Sequence, residues 1–283
     1  MVDRVKITVL VDDSGNPDKP HLLSEHGWAA LVQAKTGAHQ VSVLIDTGPS
    51  DAIMQNARSL GMSLDDIDAI VLSHGHYDHT GGLLHVLRGI HKQVPVVAHP
   101  RAFYPKFRTK PTLRFIGTPF SPSEVSGAGG IPLLIRNSLT IAERVFTTGE
   151  IERTEPSEEV EGFWTVDNGE FVKDSMPDDQ ALLADVEGKG LVIITGCCHS
   201  GVINTLRHVR RMTGRDKVYA VLGGLHLRDA GDERIGASAR ELIGMGIELL
   251  GPCHCTGSGA ISQLTQALGK RCRLLRVGDS VQL

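Results

Sequence analysis

The sequence predicts a layered α/β protein, one sandwich over residues 1–283 with decorated edges. Strand-like runs rich in β-branched residues alternate with segments of helical period up to residue 98, and the same rhythm returns between residues 181 and 268. No linker, low-complexity tract or strong internal repeat divides the chain. With 283 residues, 41% of them hydrophobic, the chain is long enough for a sizeable core.

Taken in order, residues 5–11, 29–33 and 41–46 read as strands bounded by Gly, Asp and Pro, and residues 51–60 have helical spacing that stops at Gly61. A strand over 69–73, a His-rich turn, a helix over 81–89 and a strand over 94–98 follow. The second half predicts strands over 181–185, 191–195, 218–222 and 248–250, with helices over 201–213, 234–244 and 258–268. Residues 101–130 and 150–177 are long, polar and rich in Pro and Gly, so they are expected to be lid-like or binding loops.

The formal charge of −4, from 29 basic and 33 acidic residues, is well mixed along the chain. Nothing in it attracts nucleic acid or an anionic membrane, which leaves a small molecule as the expected partner; a homo-oligomer is left open. The apolar run at 7–11 is too brief for a signal-peptide core or a membrane span, and a cytoplasmic location is expected. Five cysteines are an odd number without framework spacing, so reduced thiols are expected.

The chemistry concentrates in His74-Gly75-His76-Tyr77-Asp78-His79, directly after a buried strand and before Gly81-Gly82. His74 and His76 can hold one ion through imidazole nitrogens, and Asp78 and His79 can hold a second about 3.5–4 Å away. A mere helix cap would use Asp, Ser or Thr and has no need of three imidazoles. Asp46 sits in Asp46-Thr47-Gly48; an aspartic-protease reading of that tripeptide lacks the second copy that a carboxylate dyad requires.

His-x-His-x-Asp-His after a strand ending in Ser resembles the metallo-β-lactamase superfamily, whose fold is a four-layer αββα sandwich with its metal site at one edge. The resemblance implies that Asp46 stands behind the ligands and orients a histidine. It implies a further histidine for each metal, and His199 and His254 are assigned those places. A bridging aspartate is missing: Gly196-Cys197-Cys198-His199 stands there instead. Glu150 and Asp179 are the carboxylates considered as compensation, each with a hydrogen-bonding role as the alternative. The cysteines are read as small buried spacers rather than ligands. His226, in Gly223-Gly224-Leu225-His226, is either a ligand or a substrate contact.

Motifs along nearly the whole chain, among them Thr148-Gly149-Glu150-Ile151, Asp178-Asp179-Gln180 and Gly196-Cys197-Cys198-His199-Ser200-Gly201, resemble the 7,8-dihydropterin-6-yl-methyl-4-(β-D-ribofuranosyl)aminobenzene 5′-phosphate synthase-like, or dihydropteroate-synthase-like, metallo-hydrolases. This implies a hydrolase or a pterin-transferring synthase acting on a small phosphorylated or pterin-like metabolite through a metal-activated water or a metal Lewis acid. Zn2+ is the expected cofactor, one or two per chain, with Mn2+ or Fe2+ as alternatives. Asp78 and His226 are assigned catalytic roles, Asp78 orienting the nucleophile or protonating the leaving group. Arg101, Tyr104, Lys106 and Arg108 are candidates for anion binding and stacking, and Glu25 and His26 for an overhanging loop. The competing readings are a mono-iron oxidoreductase of the dioxygenase kind and a non-catalytic sensor of metal or metabolite.

Overall fold

The computed structural model describes residues 2–283. The chain opens on β1 (Arg4–Val11), β2 (Ala29–Thr36) and β3 (His39–Ile45), paired antiparallel in that order. Pleating sends alternate side chains of β3 to opposite faces: Val43 and Ile45 enter one apolar cluster and Leu44 another. Helix α1 (Ala52–Ser59) carries the chain back, so β4 (Ala69–Val71) joins β3 in parallel. After the short turn α2 (Tyr77–Thr80) and helix α3 (Leu83–Gly89), β5 (Val94–Ala98) joins β4 in parallel too.

Strands β6 (Lys106–Arg108) and β7 (Arg114–Phe115) then leave this sheet. Helix α4 (Pro122–Gly127), opened by a reciprocal capping box between Ser121 and Glu124, returns the chain to β8 (Gly130–Leu134) beside β5. Next come β9 (Thr140–Ala142), β10 (Val145–Thr147), β11 (Phe163–Asp167) and β12 (Glu170–Lys173). The chain continues through β13 (Ala181–Val186), β14 (Gly190–Thr195), α5 (Val202–Thr213), β15 (Val218–Gly223) and α6 (Asp232–Gly244). It closes with β16 (Leu249–Pro252), α7 (Ser258–Leu268) and β17 (Ser280–Gln282).

The sheets run β17-β1-β2-β3-β4-β5-β8 and β16-β15-β14-β13-β10-β9, and their inner faces share one core: Val5, Ile7, Val43 and Ile45 pack with Leu182, Val192 and Ile194. On the outer face of the first sheet Leu44, Ile70 and Val96 pack with residues of α1, α3 and α4; on that of the second, Leu183, Ile193 and Val221 pack with α5, α6 and α7. Helix, sheet, sheet and helix make the four-layer αββα sandwich of the metallo-β-lactamase fold. Among the described residues, no helix is long and apolar enough to cross a membrane.

Residues 101–130 and 150–177, expected to be lid-like or binding loops, also hold regular structure. They carry β6, β7, β11 and β12, which form a third sheet in the order β12-β11-β6-β7. These strands have two to five residues and sequences such as Lys-Phe-Arg, so backbone pairing rather than an apolar pattern defines them. In the main sheets β3 runs parallel to β4, and β14, β15 and β16 run parallel to one another. The loops leaving their carboxyl ends gather at one edge, where open α/β sheets place their ligands.

Candidate metal centre

Beyond β3, Asp46 adopts a left-handed backbone (φ 56°), and its carboxylate lies under the loop that leaves β4. The Ser73 amide donates to Asp46 Oδ1 at 2.7 Å and the Ser73 hydroxyl to Oδ2 at 2.6 Å. Its proton so engaged, that hydroxyl accepts from His74 Nδ1 at 2.9 Å. His79 Nδ1 lies 2.7 Å from Asp46 Oδ2. A carboxylate can only accept, so Nδ1 of each ring carries a proton, and in the neutral ring Nε2 keeps its lone pair for a metal. One buried aspartate thereby orients two imidazoles. Gly75 completes the turn: a Cβ there would collide with the Ala102 carbonyl, and its amide donates to Asp178 Oδ2 at 2.8 Å.

The second sheet supplies the facing side. After β14, Gly196 lies so close to Ser73 and Asp46 that no larger residue fits, and Cys198 turns the chain with φ 61°. His199 follows, its ring centre 4.7 Å from that of His74 and 4.9 Å from that of His76. Asp179 braces this loop by accepting the Ser200 amide at 2.8 Å. After β16, His254 (φ 48°) directs Nδ1 at Asp13 Oδ1 across 2.6 Å, and its amide donates to Asp12 Oδ2 at 2.9 Å. Of the seven described non-glycine residues with positive φ, Asp46, Cys198, His226 and His254 belong to this edge. Backbone held in a sparsely populated region concentrates where the surroundings over-determine it, and here it shapes the loops that carry the histidines.

The donor geometry fits divalent metal. His79 Nε2 stands 3.2 Å from His254 Nε2, with the ring protons on the far nitrogens, and 3.1 Å from Cys197 Sγ. Two imidazole lone pairs repel at that distance unless positive charge lies between them. His74 Nε2 and His76 Nδ1 are 3.0 Å apart, while His76 Nε2 and both ring nitrogens of His199 are buried without a hydrogen-bond partner. Tetrahedral nitrogen ligands at ~2.0–2.1 Å from a metal stand about 3.3 Å from one another, close to these separations. His74, His76 and His199 have ligand atoms near enough to hold one ion, and Cys197 shares a second such group with His74 and His79 and a third with His254 and Cys255. Asp78 Oδ2 lies 3.7 Å from His79 Nε2 and 3.6 Å from His254 Nε2.

Burial pushes His74 and His199 well below the usual imidazole range and His76 down to about 3, so all three are neutral donors at pH 7. Burial works against charging His79 too, but Asp46 and Asp78 outweigh it and raise its pKa to about 9. Asp78 is itself held below the usual carboxylate range, because His79 and His254 outweigh its burial. Positive charge is favoured at the Asp78, His79 and His254 side.

A cavity of about 820 Å³ opens over these groups, lined by His76, Asp78, Cys197, His199, His226 and His254. Phe115, Phe163, Arg108 and Arg114 of the third sheet also line it; the Phe163 ring packs against those of His76 and His199, with centres 5.1 and 5.0 Å away, and Arg108 rests over it at 4.9 Å. His226 faces His199 with ring centres 4.3 Å apart, and its buried Nδ1 has no partner. His26 reaches the rim, with Nε2 3.5 Å from Asp78 Oδ2 and Nδ1 3.0 Å from Asp13.

Other sequence-derived candidates lie elsewhere. Lys106 is not an anion-binding lid residue: it is 1% exposed, and its ammonium is committed to Asp174 at 2.7 Å and Asp178 at 2.8 Å. Arg101 pairs with Asp167 at 2.6 Å beside Tyr104, and neither lines the cavity. Glu25 accepts from Ser50, also outside the lining. Glu150 contacts His99 at 3.4 Å and Arg136 rather than any candidate ligand, so it does not replace a bridging carboxylate. Reading the cysteines as spacers missed Cys197, whose sulfur lies among the imidazoles. Asp12 and Asp13 were missed as well, although they end a strand as Asp46 does.

The model of the metallo-beta-lactamase superfamily matches residues 26–175. The 7,8-dihydropterin-6-methyl-4-(beta-D-ribofuranosyl)-aminobenzene-5'-phosphate synthase of Methanocaldococcus jannaschii is 33% identical over 99% of this chain and 97% of its own. A crystal structure of a metal-dependent hydrolase of the beta-lactamase superfamily covers 98% of both chains at 30% identity, with a TM-score of 0.83. Zn(2+)-bound PqqB from Methylobacterium extorquens, at 14% identity and a TM-score of 0.58 over 98% of this chain and 100% of that one, shares the fold alone. Architecture, the cluster of imidazoles at the sheet edge and this family match agree: the chain belongs to the metallo-beta-lactamase superfamily.

Proposed function

We propose that this chain is a metal-dependent enzyme of the hydrolase type, acting on a small phosphorylated or pterin-like metabolite, with zinc as its cofactor, at one or two ions per chain. A cytoplasmic setting belongs to the same reading. The observation that carries it is the set of buried imidazole nitrogens converging without hydrogen-bond partners under a cavity of substrate size. His74, His76 and His199 would hold one ion; Asp78, His79 and His254 a second, with Cys197 between them. Bound metal supplies Lewis acidity and a water of lowered pKa.

The residues of the chain account for the rest. Asp78, held as a carboxylate and open to the cavity, orients a nucleophile. His226 presents an unpartnered nitrogen to the substrate, and His26 closes the rim while Asp13 holds its ring. Phe163 and Phe115 offer apolar surface to a flat heterocycle. The likeness to the M. jannaschii synthase over nearly the whole chain supports the pterin-related substrate.

The test is metal content per chain by mass spectrometry after purification without chelator, repeated on His74→Ala and His199→Ala. Zinc near two per chain, falling in both variants, is expected. A single iron, or metal untouched by His199→Ala, overturns the ligand set and turns attention to oxidoreductase chemistry.

A further inference from the structure

Arg234 lies in the first turn of α6, and its side chain belongs to the wall of the metal cavity, as do His226 and Arg228. Its Nε and Nη2 are buried, and neither has a hydrogen-bond partner. A guanidinium in protein keeps its charge and has only donors, so withdrawing two of them from water without an acceptor is costly. The two nitrogens lie on the same edge of the group. Their N–H bonds run parallel, at the spacing that grips two oxygens of one phosphate or carboxylate.

Neighbouring charges do not meet that need. Glu158 is buried and feels the charge of Arg234, but its two oxygens accept the amides of Ile203 at 2.9 Å and Asn204 at 2.7 Å. Glu159, Glu161 and Asp229 line the same cavity but are exposed to water. Among the other arginines of the wall, Arg228 donates to Asp13 and to the His254 carbonyl, Arg108 lies over Phe163, and Arg114 is exposed.

We propose that Arg234 is the anion anchor of this cavity, gripping the phosphate monoester of the substrate through Nε and Nη2 while the rest of the molecule reaches toward the histidine cluster. The assignment rests on the reading of the cavity as a substrate site, and it adds the residue that selects a phosphorylated substrate. A phosphate and a carboxylate both suit a parallel pair of donors. A phosphate monoester brings more negative charge and three acceptor oxygens, so it gains more than a carboxylate from a charged parallel pair of donors.

The experiment is calorimetric titration of the metal-loaded protein with phenyl phosphate and, separately, with benzoate, on the wild type, Arg234→Met and Arg234→Lys. Metal content is measured on each sample. The expected result is a Kd for phenyl phosphate raised roughly tenfold to a hundredfold in Arg234→Met, partly recovered in Arg234→Lys, with metal content unchanged. An unchanged Kd in Arg234→Met, or wild-type protein that carries metal yet does not bind phenyl phosphate at millimolar concentration, overturns the anchor. An equal or larger effect on benzoate overturns the choice of phosphate. Wild-type protein that takes up no metal defeats the metal-enzyme reading instead, and the Arg234→Met comparison on that protein still decides the anchor.

Discussion

Cys197 stands where the resemblance implies a bridging aspartate, and its sulfur lies 3.1 Å from His79 Nε2. Burial and the neighbouring Cys255 push this thiol up, so it is protonated unless a cation is bound beside it. Cys197→Ala is expected to lower metal content toward one ion per chain, and Cys197→Asp to restore it. Cobalt-substituted wild type should show a near-ultraviolet thiolate charge-transfer band that Cys197→Asp lacks; no such band in the wild type would remove sulfur from the ligands, and a band that persists in Cys197→Asp would assign it to another cysteine. Glu158 gives a pH test. Burial, the largest influence, raises its folded pKa above the ordinary 4.5 of a free glutamate and outweighs the two amides it accepts. The native protein therefore binds this proton more tightly than the unfolded chain, and the group's contribution to stability falls as pH rises from 4.5 through the raised pKa. Glu158→Gln should thus lose most stability relative to wild type near pH 4 and less near pH 7. Urea denaturation at the two pH values measures the difference, and a deficit that grows with pH would contradict it.

Between the elements, Lys106 of β6 ties the third sheet to the histidine loop through Asp178, which also accepts the Gly75 amide. Removing one partner of a buried ion group strands the other charges, so Lys106→Met is expected to cost about 3–5 kcal/mol in urea denaturation. A loss below about 1 kcal/mol would show that the aspartates stay solvated. The same element shows why this part of the sequence was hard to read. Lys106 looked like a lid cation because it stands in a basic stretch, and a one-residue alternation inside Lys-Phe-Arg gives no sign of which side is buried. The strands of the two main sheets were legible because each alternates between two apolar cores, as Leu182 and Leu183 do. The histidine loop was legible because four metal-capable side chains fall within six positions. Cys197 was not, since a cysteine after a buried strand looks the same whether it fills space or binds an ion. Asp12 and Asp13 are placed at the site by the pairing of β1 in the sheet, which no local pattern reveals.

For the whole molecule, the candidate ligands come from loops of both main sheets: His74, His76, Asp78 and His79 from the first, Cys197, His199 and His254 from the second. Metal that binds the folded form alone stabilises it by about 2.7 kcal/mol at a free concentration one hundred times its Kd. Chelation should therefore lower the thermal midpoint by several degrees, by differential scanning calorimetry with and without EDTA. An unchanged midpoint, with metal shown to be removed, would mean that the histidine edge holds its shape without the ion. A centre assembled from two halves of a chain is also a clock. Separated fragments carrying one sheet each would bring only part of the ligand set, so tight metal uptake in refolding should wait for the moment the sheets meet, and a metal indicator would time the last step of assembly without any label on the protein.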